Sequence, residues 1–307
     1  MFAPVRQLLA VIDGTDDDAE VVHHATAIAA AGGGRVGFVE LRGTPGADPG
    51  TDRSRRRERM AKALAAAHAL GVPVEAWAPA ADAAAAVLRA RTRRCDLLVT
   101  ASTALAERCA RSGQAALVAA GAASALAMRV SAALHAEHRR QADAVHRALQ
   151  QLAGARRRPI AVEAAAMRAA LAELHAAARH HELEERVLFP ALRRRSRAWD
   201  AELDELSRQH RREAELLGAL GRAAQGLEAP VPAARSAAAE ALLEGMQAYA
   251  AFVWEHQGRE EGVVLPAARR CLRDEAWAAV DAAWREAQGA APARRLHADG
   301  AAPCAPA

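Results

Sequence analysis

Lysine is almost missing from this chain of 307 residues: Lys62 stands alone, and arginine carries the remaining positive charge. Aromatic residues are equally scarce at 3%, and the formal net charge is only +4. Three arginine runs, Arg55-Arg56-Arg57, Arg156-Arg157-Arg158 and Arg193-Arg194-Arg195, lie in or near expected loops with no interleaved aromatics. They read as solvated turns rather than as a nucleic-acid surface, which would pair basic groups with stacking rings. The four cysteines, Cys95, Cys109, Cys271 and Cys304, are scattered and form no CxxC pair. That excludes a disulfide framework and a zinc knuckle, and the expected compartment is a reducing cytoplasm. No strongly apolar run approaches the ~18 residues of a membrane span, and acidic residues at 13–18 interrupt the apolar start, so neither a leader nor a membrane partner is expected.

What the chain has in abundance is alanine, leucine, glutamate and arginine, all of which lose little rotamer freedom in a helix. The length suits two domains. Apolar runs at 7–12, 35–41, from 71–74, at 96–100 and at 115–120 alternate with helical stretches at 17–31, 53–70 and 81–93. Strands and helices alternating at this spacing predict a parallel sheet with helices on its faces, placed at residues 1–121. From Ser124 the strand signal stops. Helical segments are expected at 124–152, 159–189, 200–225, 233–271 and 274–288, Ser124 capping the first and Pro159 opening the second. Connections this short predict an up-down-up-down four-helix bundle over 124–288. The Ala/Pro/Gly-rich tail at 289–307 is expected to be disordered.

An internal repeat is the sharpest motif. His180-x3-Glu184-Glu185-x4-Pro190 recurs as His256-x3-Glu260-Glu261-x4-Pro266. Residues four apart stack on one helix face, so each pair offers one imidazole and one carboxylate to the same point. In the first helix His138 is centred in the stripe of Leu134, Val145, Leu149 and Leu152, while His135 and His146 lie roughly 60–80° away. In the third, His210 is centred among Leu203, Leu206 and Leu217. His138, His180, Glu184, His210, His256 and Glu260 should therefore meet on one axis. Burying so many polar groups without a shared ligand is strongly unfavourable. A set of imidazoles and carboxylates suits iron, manganese or zinc rather than calcium or copper(I). One ambiguity stands. Spacing to Pro190 selects His180, whereas the stripe of Met167, Leu171 and Leu174 runs into His181.

The order of one histidine, HxxxE with proline, one histidine, and HxxxE with proline resembles the HHE cation-binding branch of the hemerythrin family. That resemblance covers about 124–288. It implies a non-haem di-iron centre held by those six residues, with Glu184 and Glu260 able to bridge. The oxygen-carrying hemerythrins have a second helix-3 histidine where this chain has Ala214, and HxxxxD on helix 4 where this chain has Glu260 and Glu261. Fewer histidines imply an open coordination position and a diatomic or peroxide ligand, hence sensing or binding of iron, oxygen or related oxidants in a stress response. The rival expectations are a di-iron enzyme acting on peroxide, nitric oxide or damaged iron clusters, and a metal-free dimerisation or signalling module.

Leu9-Ala10-Val11-Ile12-Asp13-Gly14-Thr15 and Asp96-Leu97-Leu98-Val99-Thr100 resemble the universal stress protein family. Nucleotide-binding members carry a GxxG…GS/T loop after the fourth strand, whereas the stretch 101–114 holds only Gly113. A degenerate domain serving signalling or homodimerisation is the expectation, with His23, His24 and His68 as surface residues.

Overall fold

The computed structural model describes residues 5–41, 49–120, 123–157 and 164–289. Pro159, the arginine run from Arg156 beyond Arg157, Cys304 and the tail from 290 on fall outside them.

The N-terminal half is a five-stranded, all-parallel sheet. Its elements in chain order are β1 (Gln7–Ile12), α1 (Asp18–Gly32), β2 (Arg35–Glu40), α2 (Pro49–Ala69), β3 (Val74–Ala76), α3 (Ala83–Thr92), β4 (Leu97–Thr100), α4 (Thr103–Arg111) and β5 (Ala116–Val118). The strand order is β3-β2-β1-β4-β5. β1 is central, in register with β2 from Gln7↔Arg35 to Ile12↔Glu40 and with β4 from Leu8↔Leu97 to Ala10↔Val99. A strand covered on both faces must be apolar on both, and Leu8, Leu9, Ala10, Val11 and Ile12 are all at most 2% exposed. Two differences from expectation appear. α2 starts at Pro49, where proline suits a first helical turn. The stretch after β4, where no helix was expected, forms the helix α4, capped by Ser102 Oγ accepting from Leu105 N.

The C-terminal half is helical: α5 (Ala125–Arg157), α6 (Ala164–Ala177), α7 (His180–Leu183), α8 (Phe189–Arg195), α9 (Asp200–Gln225), α10 (Pro232–Arg259), α11 (Leu265–Cys271) and α12 (Asp274–Gly289). Ser124 Oγ accepts from Ala127 N and caps α5. π-helical turns at Glu184–Leu188 and Glu260–Val264 join α7 to α8 and α10 to α11, making two long interrupted rods. α5 packs on α6, α6 on α9, α9 on α10 and α10 on α5, closing a four-membered ring.

Two separate apolar clusters fill this ring. One contains Leu134, Leu183, Leu188, Leu203, Leu206, Val264 and Leu265. The other contains Val145, Leu171, Leu174, Leu217, Leu220, Met246 and Val253. Along the chain, α5 runs from the first cluster to the second, the α6–α8 rod runs back, α9 goes out again and the α10–α11 rod returns. The bundle is therefore up-down-up-down, and polar residues occupy the layer between its two apolar ends. α12 lies outside the ring against α5 and buries Trp277 and Val280 in the first cluster.

The two halves share an interface. α2 lies along α10, and α1 touches the π turn at 260–264. A Cβ on Gly258 would collide with the backbone of Lys62, and one on Gly262 would stand 2.5 Å from Ala66 Cβ. These glycines let the two helices approach at backbone distance. His23, expected at the surface, is buried in this interface with Nδ1 3.2 Å from Gly262 O.

Candidate metal centre

Local structure begins with the prolines. A proline inside a helix lacks an N–H and crowds the carbonyl four residues back. Pro190 and Pro266 sit at equivalent places, and ahead of each the chain opens into a π turn with Phe189 N bonded to Glu184 O and Leu265 N bonded to Glu260 O. Each π turn starts at the carboxylate of an HxxxE pair. Such turns re-aim side chains at functional positions.

Upstream of α7 the rod breaks at Ala178 and Arg179. Arg179 N, His181 N and Glu182 N bond to carbonyls three residues back, at Ala176, Ala178 and Arg179. This tighter winding turns both His180 and His181 inward, each at most 6% exposed. The choice between them, posed by the sequence pattern, does not arise.

In the polar layer, one nitrogen or oxygen from each of His138, His180, Glu184 and Glu260 lies within 4.8 Å of the others. A second group with the same spacing is His181, His210 and His256. Glu260 joins the two. Its Oε1 is 3.3 Å from His256 Nε2 and 3.6 Å from His210 Nε2, while its Oε2 is 3.0 Å from His138 Nε2. Glu184 Oε2 is 3.5 Å from His210 Nε2.

All five imidazoles face the layer in one sense. Nδ1 of His138 meets Glu261 Oε1 at 2.9 Å, that of His180 meets Ala177 O at 2.6 Å, and that of His210 meets Glu185 Oε1 at 2.8 Å. Nδ1 of His256 meets Gln209 Oε1 at 3.0 Å, and that of His181 is 3.2 Å from Glu213 Oε2. For His138, His180, His210 and His256 these hydrogen-bonded acceptors favour the Nδ1–H tautomer and aim Nε2 at the layer, and the His181 ring is turned the same way. The Nε2 atoms of all five are buried with no hydrogen bond, as are Glu184 Oε2 and both oxygens of Glu260. Orphaned buried acceptors cost roughly 1–3 kcal/mol each, so eight in one layer need a shared electrophile. Five imidazoles and two carboxylates suit iron, manganese or zinc. The residues fit a metal centre.

The electrostatics divide the imidazoles: burial lowers His180, His181 and His256, whereas neighbouring carboxylates outweigh burial and raise His138 and His210. Burial lowers His256 to about 4, and burial with His138 nearby lowers His180 to about 3. Burial and the neighbouring imidazoles push His181 well below its ordinary value. Neutral imidazole is the form that coordinates. For His138 burial works downward, but Glu260 and Glu261 outweigh it and raise the group to about 9. Burial beside Glu260 holds the Glu184 carboxyl well above its usual range. Glu260 is held low: burial opposes this, but His256, His138 and His210 prevail.

An outer layer orients the inner one. Glu213 is 1% exposed and accepts from Tyr249 Oη–H and from Gln141 Nε2, both at 2.6 Å. Gln257 Nε2 donates to Gln141 Oε1 at 2.9 Å. Burial lifts the Glu213 carboxyl to about 7.

The structure thus brings together all six residues singled out in the sequence and adds His181 as a seventh. The expectation of a histidine-poor site rested on Ala214, but Ala214 is exposed and Glu213 is the inward residue there. The imidazole set aside in helix 3 is supplied by His181, whose ring stacks on His210 at 4.1 Å. Glu213 carried no signal of its own, since a glutamate three residues from a histidine reads as a surface pair. His135 stays at the margin, 3.9 Å from Glu261 Oε1, and His146 belongs to the domain interface, bonded to Glu58 and Ser54.

In the N-terminal half, the turn after β1 is closed by its own side chains. Asp18 accepts from Asp13 N and Gly14 N, Arg59 Nε donates to Glu40 Oε1 at 2.8 Å, and the Arg59 guanidinium packs on Gly14.

A solved structure of a universal stress protein family member from Burkholderia pseudomallei aligns with 38% of this chain and 97% of its own, at 23% identity and a TM-score of 0.33. A comparison with curated proteins gives no significant match. No helix among the described residues is long and apolar enough to cross a membrane. The hemerythrin HHE cation binding domain model matches residues 129–268, a span that contains every residue of the inner layer. Residues 129–268 of this chain are therefore similar to the hemerythrin HHE cation binding domain, and the His/Glu layer, whose side chains could hold a metal ion, lies within the matched span.

Proposed function

We propose that this protein holds two metal ions, with iron the natural occupant, and that the pair binds or senses a small oxidant such as oxygen or a peroxide. One observation carries the reading: five buried Nε2 lone pairs converge in two groups with both oxygens of Glu260 between them. His181, His210 and His256 would hold one ion, His138 and His180 the other, and Glu184 and Glu260 would serve both. Bound iron supplies redox chemistry and an affinity for small oxidants.

The ligand count would be uneven, three histidines on one side and two on the other, so open coordination positions would fall on the His138/His180 side. A cleft of about 700 Å³ between α5, the broken rod and α12 reaches that side, with His180, Leu183, Trp284 and Arg140 in its lining. Size and position suit a small molecule approaching the less saturated ion.

Anaerobic loading of the full chain with ferrous iron, followed by metal quantification and exposure to oxygen, tests the reading. About two irons per chain and a new near-ultraviolet or visible band are expected. Less than half an iron per chain, with no spectral change, would overturn it.

A further inference from the structure

The lone lysine of the chain lies where the two halves meet. Lys62, on α2, has a side chain only 14% exposed, and Nζ is 3.1 Å from Glu261 Oε1 and 3.3 Å from Glu58 Oε1. The same Glu261 oxygen is 2.9 Å from His138 Nδ1. Contacts therefore run unbroken from an α/β helix, through Lys62 and Glu261, to an inner-layer imidazole whose Nε2 faces the centre.

We propose that Lys62 is a positioning residue of the metal centre, contributed by the α/β domain, which holds Glu261 so that Glu261 can orient His138. This rests on the metal-binding reading above. Three observations support it. First, Glu261 Oε1 meets both Lys62 Nζ and His138 Nδ1, and a carboxylate oxygen held by an ammonium offers a fixed acceptor to the imidazole. Second, the lysine cannot drift from Glu261, because its own backbone sits against Gly258, three residues before Glu261 on the same rod, and Gly262 packs on Ala66 one turn further along α2. Third, the opposite side of Lys62 is braced. Glu58 Oε2 is 2.7 Å from His146 Nε2, and His146 Nδ1 meets Ser54 Oγ at 2.8 Å. An ammonium with three donors fits between two carboxylates where a planar guanidinium would not. The α/β half is thereby part of the site, and occupancy of the centre is linked to its docking.

Cobalt(II) titration of the full-length chain tests this, with the visible ligand-field spectrum and unfolding of the metal-free protein as readouts. Lys62→Met should weaken one of the two sites 10–100-fold, the range for outer-sphere partners of a ligating histidine. It should also shift the cobalt spectrum, and Lys62→Arg should restore only part of the affinity. Leu98→Ala, in a buried cluster of the α/β half that contains no residue of α2, should lower stability while leaving the spectrum in place. Should Lys62→Met fail to fold, Glu261→Gln decides by the same titration. If wild type binds two cobalt ions and Lys62→Met or Glu261→Gln binds them with the same affinity and spectrum, Lys62 has no such role. If wild type binds none, the metal-binding reading itself is what fails.

Discussion

The two halves of this molecule treat buried polar groups in opposite ways. In the α/β half they find protein partners, some within the half and some across the interface: Thr26 Oγ1 donates to Val22 O, Glu40 accepts from Arg59, Asp18 accepts from two backbone amides, and Glu58 pairs with His146. Among the described residues, Glu20 Oε1 is the only buried side-chain nitrogen or oxygen of that half without a hydrogen bond, and it faces the guanidinium of Arg269. The bundle instead leaves a whole layer of lone pairs unanswered between two apolar clusters. A core that satisfies itself stabilises a fold, and a core that does not has kept room for a ligand.

Breaking the bundle layer should give the largest effect. Glu260→Ala removes the carboxylate common to both groups, so metal analysis should find neither ion. Metal-linked stabilisation, about 5 kcal/mol at ten-thousandfold excess over Kd, should vanish with it. Next comes the other half. Phe38 is fully buried in the sheet core, and Phe38→Ala should cost about 3–5 kcal/mol in denaturant unfolding while the metal content stays that of wild type. A parallel loss of metal would show the halves to be more tightly coupled than described.

A smaller effect belongs to the outer layer. Tyr249→Phe removes a donor to Glu213 and should lower stability by about 1–3 kcal/mol. It should also weaken the ion at His181 without abolishing it. The last effect is one of pH at the interface, and it leaves the metal layer untouched. Burial and Arg270 lower His23 to about 4, below its unfolded value of 6.5. Between these values the unfolded chain takes up a proton that the folded chain refuses. Stability of the metal-free protein should therefore fall as pH drops from 6.5 toward 4 and gain nothing from His23 above 6.5. His23→Gln should flatten that part of the pH profile, and an unchanged slope would remove His23 from the account.

Much of this was legible in the sequence because the signals were periodic. Strand runs alternating with helices gave the parallel sheet, and the repeated histidine, glutamate and proline spacing marked the inner layer. What stayed hidden were departures from regular winding. A straight helix can turn only one of His180 and His181 inward, so the pattern posed a choice, while the tightened turn at Ala178–Arg179 accommodates both. The π turns set by Pro190 and Pro266 shift the register in the same way. Contacts across the chain were also invisible. Lys62 and Glu261 are distant in sequence, and nothing in the run around Gly258 and Gly262 says that another helix lies on it.

The central claim is a two-metal layer bridged by Glu260. Crystals of the full chain grown with ferrous iron and measured at the iron absorption edge test it most directly. The account predicts two anomalous peaks on either side of Glu260, one among His181, His210 and His256 and one beside His138 and His180. No peak in that layer, or iron confined to the surface, would contradict it.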